Sequence, residues 1–416
     1  MSSKKNKLSV EPYKGVRDFY PEDQAFLNYI ISTCRGVAER FGYVEYHASV
    51  LEPAELYRAK GSDNEEIVND QTYTFTDRGG REVTLRPEMT PSVARMVAGK
   101  RRELGFPLRL FSIPNVFRYE RPQRGRLREH WQLNVDIFGS ASKAAEAEVI
   151  ALAATVMAAF GAKKDDFVIK ISSRAFLNAL MDEYSLPEES RGRFLYLLDR
   201  RAKMPAEEFK AELAAFGVPL ERLSAANAPA DVAETMAHLK TLDITNVEFD
   251  TSVVRGFNYY TGVVFEVFDT HKDNNRSLFG GGRYDNLTAL FDDEPIAGVG
   301  FGMGDVTIQD FLAVRGLLPA YAPHTDVYIA LTNPALLNDG LALATTLRTS
   351  GVNVGLDFGD KKLADQIKAA SKHTIPYLLV MGDDELRTGI FAVRDLKTGQ
   401  ETKLAADALA AFFLKH

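Results

Sequence analysis

The chain has 416 residues, a length that calls for two or three domains because one core rarely grows past roughly 250–300 residues. Its 45% hydrophobic and 26% charged residues describe an ordinary folded protein, and no stretch approaches the ~20 apolar residues that span a bilayer. The net charge of −7 disfavours a polyanion partner only as a global count, and the single cysteine, Cys34, excludes an internal disulfide or a cysteine-based zinc site within one chain.

In chain order, the opening MSSKKNKLSVEPYKG is polar and basic without an apolar core, so a secretory signal is not expected and a cytoplasmic location is. Residues 22–41 carry apolar side chains at helical spacing, closed by Gly42. Strand-like YVEYHASVL leads to a polar, acidic loop over 60–70, and QTYTFTD and REVTLRP flank Gly79-Gly80 as a hairpin. Helices are predicted at 91–98, with Thr90 in the N-cap position ahead of Pro91, and at 141–160. Between them, FSIPNVFRYE and HWQLNVDIFG alternate as strands and read as an antiparallel pair with an Arg-rich loop at its tip.

From 173 to 242 the chain is rich in Ala, Leu, Glu, Lys and Arg at helical spacing, a helical insertion between strand-like FVIKIS and VEFDTSVV. Glycine-dense strand and turn segments follow: RGFNYYTGVVFEVFD, LFGGGRYDNL and IAGVGFGMGD. Near 321–324 strands begin to alternate with helices, which predicts a small α/β module with a mostly parallel sheet. The fold class is therefore α+β: an antiparallel-sheet body over 1–322, the insertion at 173–242 within it, and the α/β module at 325–416.

Three constellations carry chemistry. Between Lys100 and Arg128 stand eight arginines and one lysine against Glu103 and Glu120, a local +7 in an acidic protein. A run biased to Arg suits bidentate phosphate contacts better than it suits ordinary solubilising surface. In LRPEMT, Glu88 and Thr90 fall at a strand-to-helix junction, where they could accept from a substrate ammonium group. Arg118 and Glu120 lie two apart, as do Gln132, Asn134 and Asp136, so each set faces one side of its strand. A polar row on a half-buried sheet is costly without partners, which points to a floor awaiting a polar ligand. In RGFNYYTGVVFE, Arg255 precedes a glycine, and Tyr259 and Tyr260 are expected on opposite faces, one in a site and one in the core. GVGFGMG lacks the G-x-G-x-x-G spacing of a dinucleotide fold. His130 and Trp131 read as packing residues.

Taken together, LRPEMT, FRYERPQRGRLREHWQLNVD, RGFNYYTGVVFE, GGGRYDNL and the C-terminal module resemble the histidyl-tRNA synthetases, class II aminoacyl-tRNA synthetases, over nearly the whole chain and in that family's order. The resemblance implies a histidine–tRNA ligase with a class II catalytic domain and an anticodon-binding C-terminal domain. It implies that Arg118 holds the ATP α-phosphate with Glu120 at the adenine end, Arg126 and Arg128 assisting. Glu88, Thr90 and Gln132 should hold the histidine ammonium, and Asp136, where many members carry Glu, should accept from one imidazole nitrogen. Tyr260 should address the other nitrogen, with Tyr259 beside it, while Tyr284 closes the pocket and Arg255 spans substrate carboxylate and α-phosphate. Arg121 and Gln123 should read the acceptor end of histidine tRNA, including its extra 5′ guanosine. Mg²⁺ is expected with ATP, and a homodimer is expected without any membrane partner.

Two positions depart from the family pattern. Thr307, in GFGMGDVTI, stands where the third motif carries the arginine that binds the γ-phosphate, and Ser49 stands where the dimer motif carries proline. The first keeps a rival reading in view: a non-charging paralogue, such as a tRNA sensor or the regulatory subunit of ATP phosphoribosyltransferase. That subunit lacks the anticodon-binding module.

Overall fold

Apolar residues spaced three and four apart along the first helix determine how the body is assembled. Helix α1 (Pro21–Arg40) buries Leu27, Ile30, Cys34, Val37 and Ala38 along one stripe. The computed structural model describes residues 8–58, 71–201, 204–223, 228–255, 259–274, 276–292, 294–358 and 361–415. The acidic loop expected at 60–70 and Gly256 of the RGFN segment lie outside the described residues.

The chain divides into two units, Met1–Pro319 and Ala320–His416. In the first, α1 is followed by β1 (Val44–Glu45), β2 (Leu51–Pro53), α2 (Glu55–Arg58), β3 (Tyr73–Thr76), β4 (Glu82–Leu85) and α3 (Thr90–Gly99). Then come β5 (Leu108–Ser112), β6 (Asn115–Phe117), β7 (Glu129–Phe138), α4 (Lys143–Ala159) and β8 (Phe167–Ser173). Helices α5 (Arg174–Glu183), α6 (Glu188–Arg200), α7 (Ala206–Ala214), α8 (Leu220–Leu223) and α9 (Ala230–Thr241) form the insertion. The unit ends with β9 (Val247–Phe249), β10 (Val263–Asp269), β11 (Ser277–Arg283), β12 (Gly298–Gly304) and α10 (Asp305–Val314).

The central sheet has the order β1-β5-β7-β12-β11-β10-β8-β9, with β6 pairing to the start of β7; its inner pairs are antiparallel. Period-two alternation gives it two unlike faces. Leu133, Val135 and Ile137 of β7 and Val299, Phe301 and Met303 of β12 join α1, α4 and α10 in the main core. The opposite face carries the polar row of β7. The β3–β4 hairpin forms as the Gly79-Gly80 turn predicts: Asp77 Oδ1 accepts from the amides of Gly79 and Arg81 at 2.8 and 2.9 Å. Helices α5 to α8 close around their own core, which includes Leu177, Phe194, Leu198 and Phe209.

The second unit contains β13 (Val327–Leu331), α11 (Leu337–Thr349), β14 (Val354–Leu356), α12 (Leu363–Lys372), β15 (Tyr377–Met381), α13 (Asp383–Thr388), β16 (Ile390–Asp395), β17 (Glu401–Ala405) and α14 (Leu409–Phe413). Its sheet, β14-β13-β15-β16-β17, is parallel across its first two pairs and antiparallel across its last two. The mostly parallel sheet expected from the sequence is thus corrected to a mixed one. The β16–β17 hairpin, turned through Gly399 at φ +75°, adds the antiparallel half.

Candidate active site

The floor of the site is a strip of backbone left bare by glycine. Gly300 and Gly302 of β12 pair with Asp136 and Asn134 of β7, while Gly282 and Gly280 of β11 pair with Gly300 and Gly302. A Cβ on Gly302 would stand 2.0 Å from Gln132 Nε2, and one on Gly300 would stand 2.4 Å from Asp136 Oδ1. The polar row therefore has its present conformation only because the neighbouring strand carries no side chains there.

Above this floor, Glu88, Thr90, Arg118, Gln132, Asn134, Arg255, Tyr259, Tyr260 and Tyr284 surround a narrow cavity of about 30 Å³. Gln132 Oε1, Asp136 Oδ2 and Arg255 Nε are buried without a hydrogen-bond partner. Unmade bonds of this kind are costly in a closed core and mark a place prepared for a ligand. The Tyr284 hydroxyl donates to Asp136 Oδ1 and so aims the other oxygen. Burial pushes the Asp136 carboxyl from 3.8 up to about 7; the charge of Glu88 adds to this and the Tyr284 bond opposes it.

Arg255 occupies the left-handed region at φ +57°, uncommon for a residue with a side chain. Its guanidinium donates to Glu266 Oε1 at 3.1 Å and to the Gly280 carbonyl at 3.0 Å. Burial works against its charge, but Tyr260 and Glu266 more than offset that and hold its pKa above the ordinary value. The Tyr259 hydroxyl donates to Glu88 Oε2 at 3.3 Å, and the two tyrosine rings lie 4.8 Å apart. Both tyrosines line the cavity. The expectation of opposite faces fails because they precede β10 and do not alternate along a strand.

A second, larger cavity of about 360 Å³ adjoins the first, lined by Arg118, Glu120, Arg126, His130 and Thr307 together with Gln71, Gly125, Leu127, Leu278, Gly304 and Val306. Arg118 borders both cavities and is fixed by an Nε bond of 2.9 Å to the Pro87 carbonyl. Arg118 and Glu120 lie past the end of β6 rather than on the strand as expected, yet the loop brings them within 4.0 Å. Glu120 also meets Arg126 at 3.3 Å.

Arg128 lines neither cavity. It bonds the Glu120 carbonyl at 3.1 Å and the Tyr13 hydroxyl at 3.0 Å, with its guanidinium 4.0 Å over the Tyr119 ring. It braces the loop from behind against the segment at 13–15, where its amide donates to the Gly15 carbonyl at 2.7 Å. Arg121 and Gln123 sit exposed on the loop tip.

Sequence reasoning missed His130 as a lining residue, although it shares the face of Gln132, Asn134 and Asp136. Burial, with Arg118 and Arg17 nearby, lowers its pKa to about 3, so the ring is neutral at physiological pH. Thr90 is not an N-cap: Met89 occupies that position without a side-chain bond, and Thr90 opens α3 facing the narrow cavity. Thr307 donates to the carbonyls of Leu278 at 2.7 Å and Gly304 at 3.1 Å.

Comparison with known proteins agrees with this arrangement. The histidyl-tRNA synthetase family model matches residues 15–306, and the anticodon binding domain model matches 326–416. The chain belongs to the histidyl-tRNA synthetase family. Family members among curated proteins include the histidine–tRNA ligase of Leptospira biflexa, 43% identical with 94% of each chain covered. Another, from Thermoplasma volcanium, is 36% identical over 98% of this chain and 99% of its own. The fold matches the crystal structure of histidyl-tRNA synthetase from Nostoc sp. PCC 7120 with TM-score 0.81 at 22% identity, covering 98% of this chain and all of that one. It also matches a Bacillus halodurans structure titled as an ATP phosphoribosyltransferase regulatory subunit/histidyl-tRNA synthetase, TM-score 0.72 at 24% identity, over 90% of this chain and all of that one.

Proposed function

We propose that this chain is a histidine–tRNA ligase that joins histidine to ATP as histidyl-adenylate in the paired cavities and then transfers the histidyl group to the 3′ end of histidine tRNA. The observation that carries the reading is the shared wall. Arg118 faces both cavities, and the narrower one is lined by Gln132 and Arg255, each with a buried polar atom left without a hydrogen-bond partner.

In this reading histidine lies in the narrow cavity. Glu88, Thr90 and Gln132 take its ammonium group, Asp136 accepts from one imidazole nitrogen and Tyr260 meets the other. Burial, with the Glu88 charge beside it, keeps the Tyr259 hydroxyl protonated, so it stays a donor to that carboxylate. ATP lies in the larger cavity. The histidine carboxylate then attacks the α-phosphorus in line, forming the carboxyl–phosphorus bond as pyrophosphate leaves. Both reactants are anionic, and Arg118 and Arg255 offset the repulsion while holding the reacting atoms in place. Selection for histidine follows from buried groups that only an imidazole satisfies, a mode of rejection worth ~10⁴–10⁵ at best.

Mg²⁺ would supply charge neutralisation on the phosphates. The described residues hold no cluster of three or more His, Cys, Asp or Glu suited to a metal. Arg121 and Gln123 at the exposed loop tip are suited to the acceptor end of the tRNA, residues 1–322 to catalysis with the insertion at 173–242, and 325–416 to the anticodon. A homodimer is the assembly we assign to it.

Histidine-dependent ATP–pyrophosphate exchange, followed by charging of histidine tRNA, tests the reading. Activity in both supports it. ATP and tRNA binding without exchange would instead favour the non-charging paralogue that Thr307 brings to mind.

A further inference from the structure

Arg276 precedes β11 and belongs to none of the motifs above. Its exposed guanidinium donates to the carbonyl of Arg124 at 3.2 Å, in the tip of the loop that joins β6 to β7. That tip is tightly built: Gln123 and Arg126 exchange both backbone bonds, at 3.1 and 2.9 Å, around Gly125 at φ +76°. A Cβ on Gly125 would lie 3.7 Å from Thr307 Cγ2 and 3.9 Å from Asp310 Oδ2, so the tip rests on the first turns of α10. Arg124 completes the cluster by pairing with Asp310 at 3.4 Å, its own side chain 55% exposed.

On the α10 side of the larger cavity the wall is formed by Gly304, Val306 and Thr307, none of them cationic; Arg118 and Arg126 are the arginines in the lining, and Arg276 and Arg124 stand just outside it. The Thr307 hydroxyl gives its proton to backbone carbonyls and has none left for a phosphate. The Thr307–Leu278 bond ties β11 to this wall, and Arg276, two residues before Leu278, reaches the loop tip that rests on it. We propose that Arg276, with Arg124, binds the terminal phosphate of ATP beside Thr307. The proposal rests on the reading that ATP occupies the larger cavity.

The exchange of partners favours it. Arg276 gives up a neutral carbonyl for an anionic phosphate, so a bond whose donor is already charged gains an oppositely charged acceptor. The phosphate also competes with Asp310 for Arg124. Two guanidiniums approaching from the loop and from β11 would thus meet the phosphate beside Thr307. The bonds that now close the tip over α10 become the bonds that hold the tail of the nucleotide.

Titration calorimetry of ATP and of AMP, at fixed Mg²⁺, on the full chain and on Arg276→Ala, Arg276→Lys and Arg124→Ala separates the possibilities. The parent is expected to prefer ATP. Arg276→Ala should weaken ATP roughly tenfold or more, with AMP unchanged, and Arg276→Lys should recover part of the preference. Arg124→Ala should act in the same direction. An equal loss for ATP and AMP would mean that Arg276 only braces the loop, and an unchanged ATP:AMP ratio would equally overturn its role. Failure of histidine-dependent exchange in a parent that binds ATP with this preference would instead count against the ligase reading and leave Arg276 its phosphate.

Discussion

At the scale of single residues, Asp136 makes the most specific demand. In the proposed function its carboxyl accepts from an imidazole N–H as the anion, and burial pushes its pKa up to about 7. Histidine affinity should therefore fall as the pH drops below about 7, and Asp136→Asn should abolish that dependence while raising the KM for histidine roughly 10- to 150-fold. Stability runs the other way. Between 3.8 and about 7 the folded chain keeps a proton that the unfolded chain has released. The contribution of Asp136 is therefore fully present below 3.8 and is lost as the pH rises through about 7. At about pH 8 Asp136→Asn should melt higher than the parent, with on the order of 4 kcal/mol as the upper bound. A variant that loses both activity and melting temperature would contradict this account. Arg255→Ala should lower kcat for exchange by on the order of 10²–10³, because it removes charge placed at the reacting phosphate. Near-normal exchange in that variant would mean that Arg255 only anchors Glu266 and the Gly280 carbonyl.

At the scale of elements, the site depends on what β11 and β12 leave out. Gly302→Ala drives a methyl into Gln132 and should cost roughly 1–3 kcal/mol together with histidine affinity. Gly36→Ala, within α1 and facing nothing nearer than Arg40 Nη1 at 3.5 Å, should stabilise the chain by roughly 0.5–1 kcal/mol. Chemical denaturation of the two variants gives the contrast directly. The strands that carry the polar row were legible because Gln132, Asn134 and Asp136 alternate with Leu133, Val135 and Ile137. The same alternation extends to His130, although a histidine beside a tryptophan reads from sequence as a packing residue. The Tyr259-Tyr260 pair misled because period-two reasoning needs a strand, and the strand begins only at Val263. Thr90 was placed one residue outside its helix, where proline in the first turn leaves the boundary ambiguous. The β16–β17 hairpin was missed because its second strand, Glu401–Ala405, is mostly exposed and carries no apolar alternation to betray it.

At the scale of the whole molecule, the two units have separate cores, one built on the central sheet and one around Val327, Ile329, Leu379 and Phe391. A chain ending at Pro319 should keep histidine-dependent pyrophosphate exchange but charge tRNA with a much reduced kcat/KM. Loss of exchange in that truncated but folded chain would show that the second unit serves more than tRNA binding. The division was legible from the change to alternating strands and helices near 321–324. Which side chains from distant segments meet was not, since Glu88, Arg255 and Tyr284 lie in connections between elements and reach Asp136 on β7 only through the tertiary fold.

The loop after β6 leaves Arg118 in contact with two compartments at once. A side chain common to both is a route for coupling, and coupling is reciprocal: if ATP raises the affinity for histidine by some factor, histidine must raise the affinity for ATP by the same factor. On the proposed placement of histidine and ATP, coupling between the two substrates would pass through one guanidinium and the carbonyl of Pro87 that holds it.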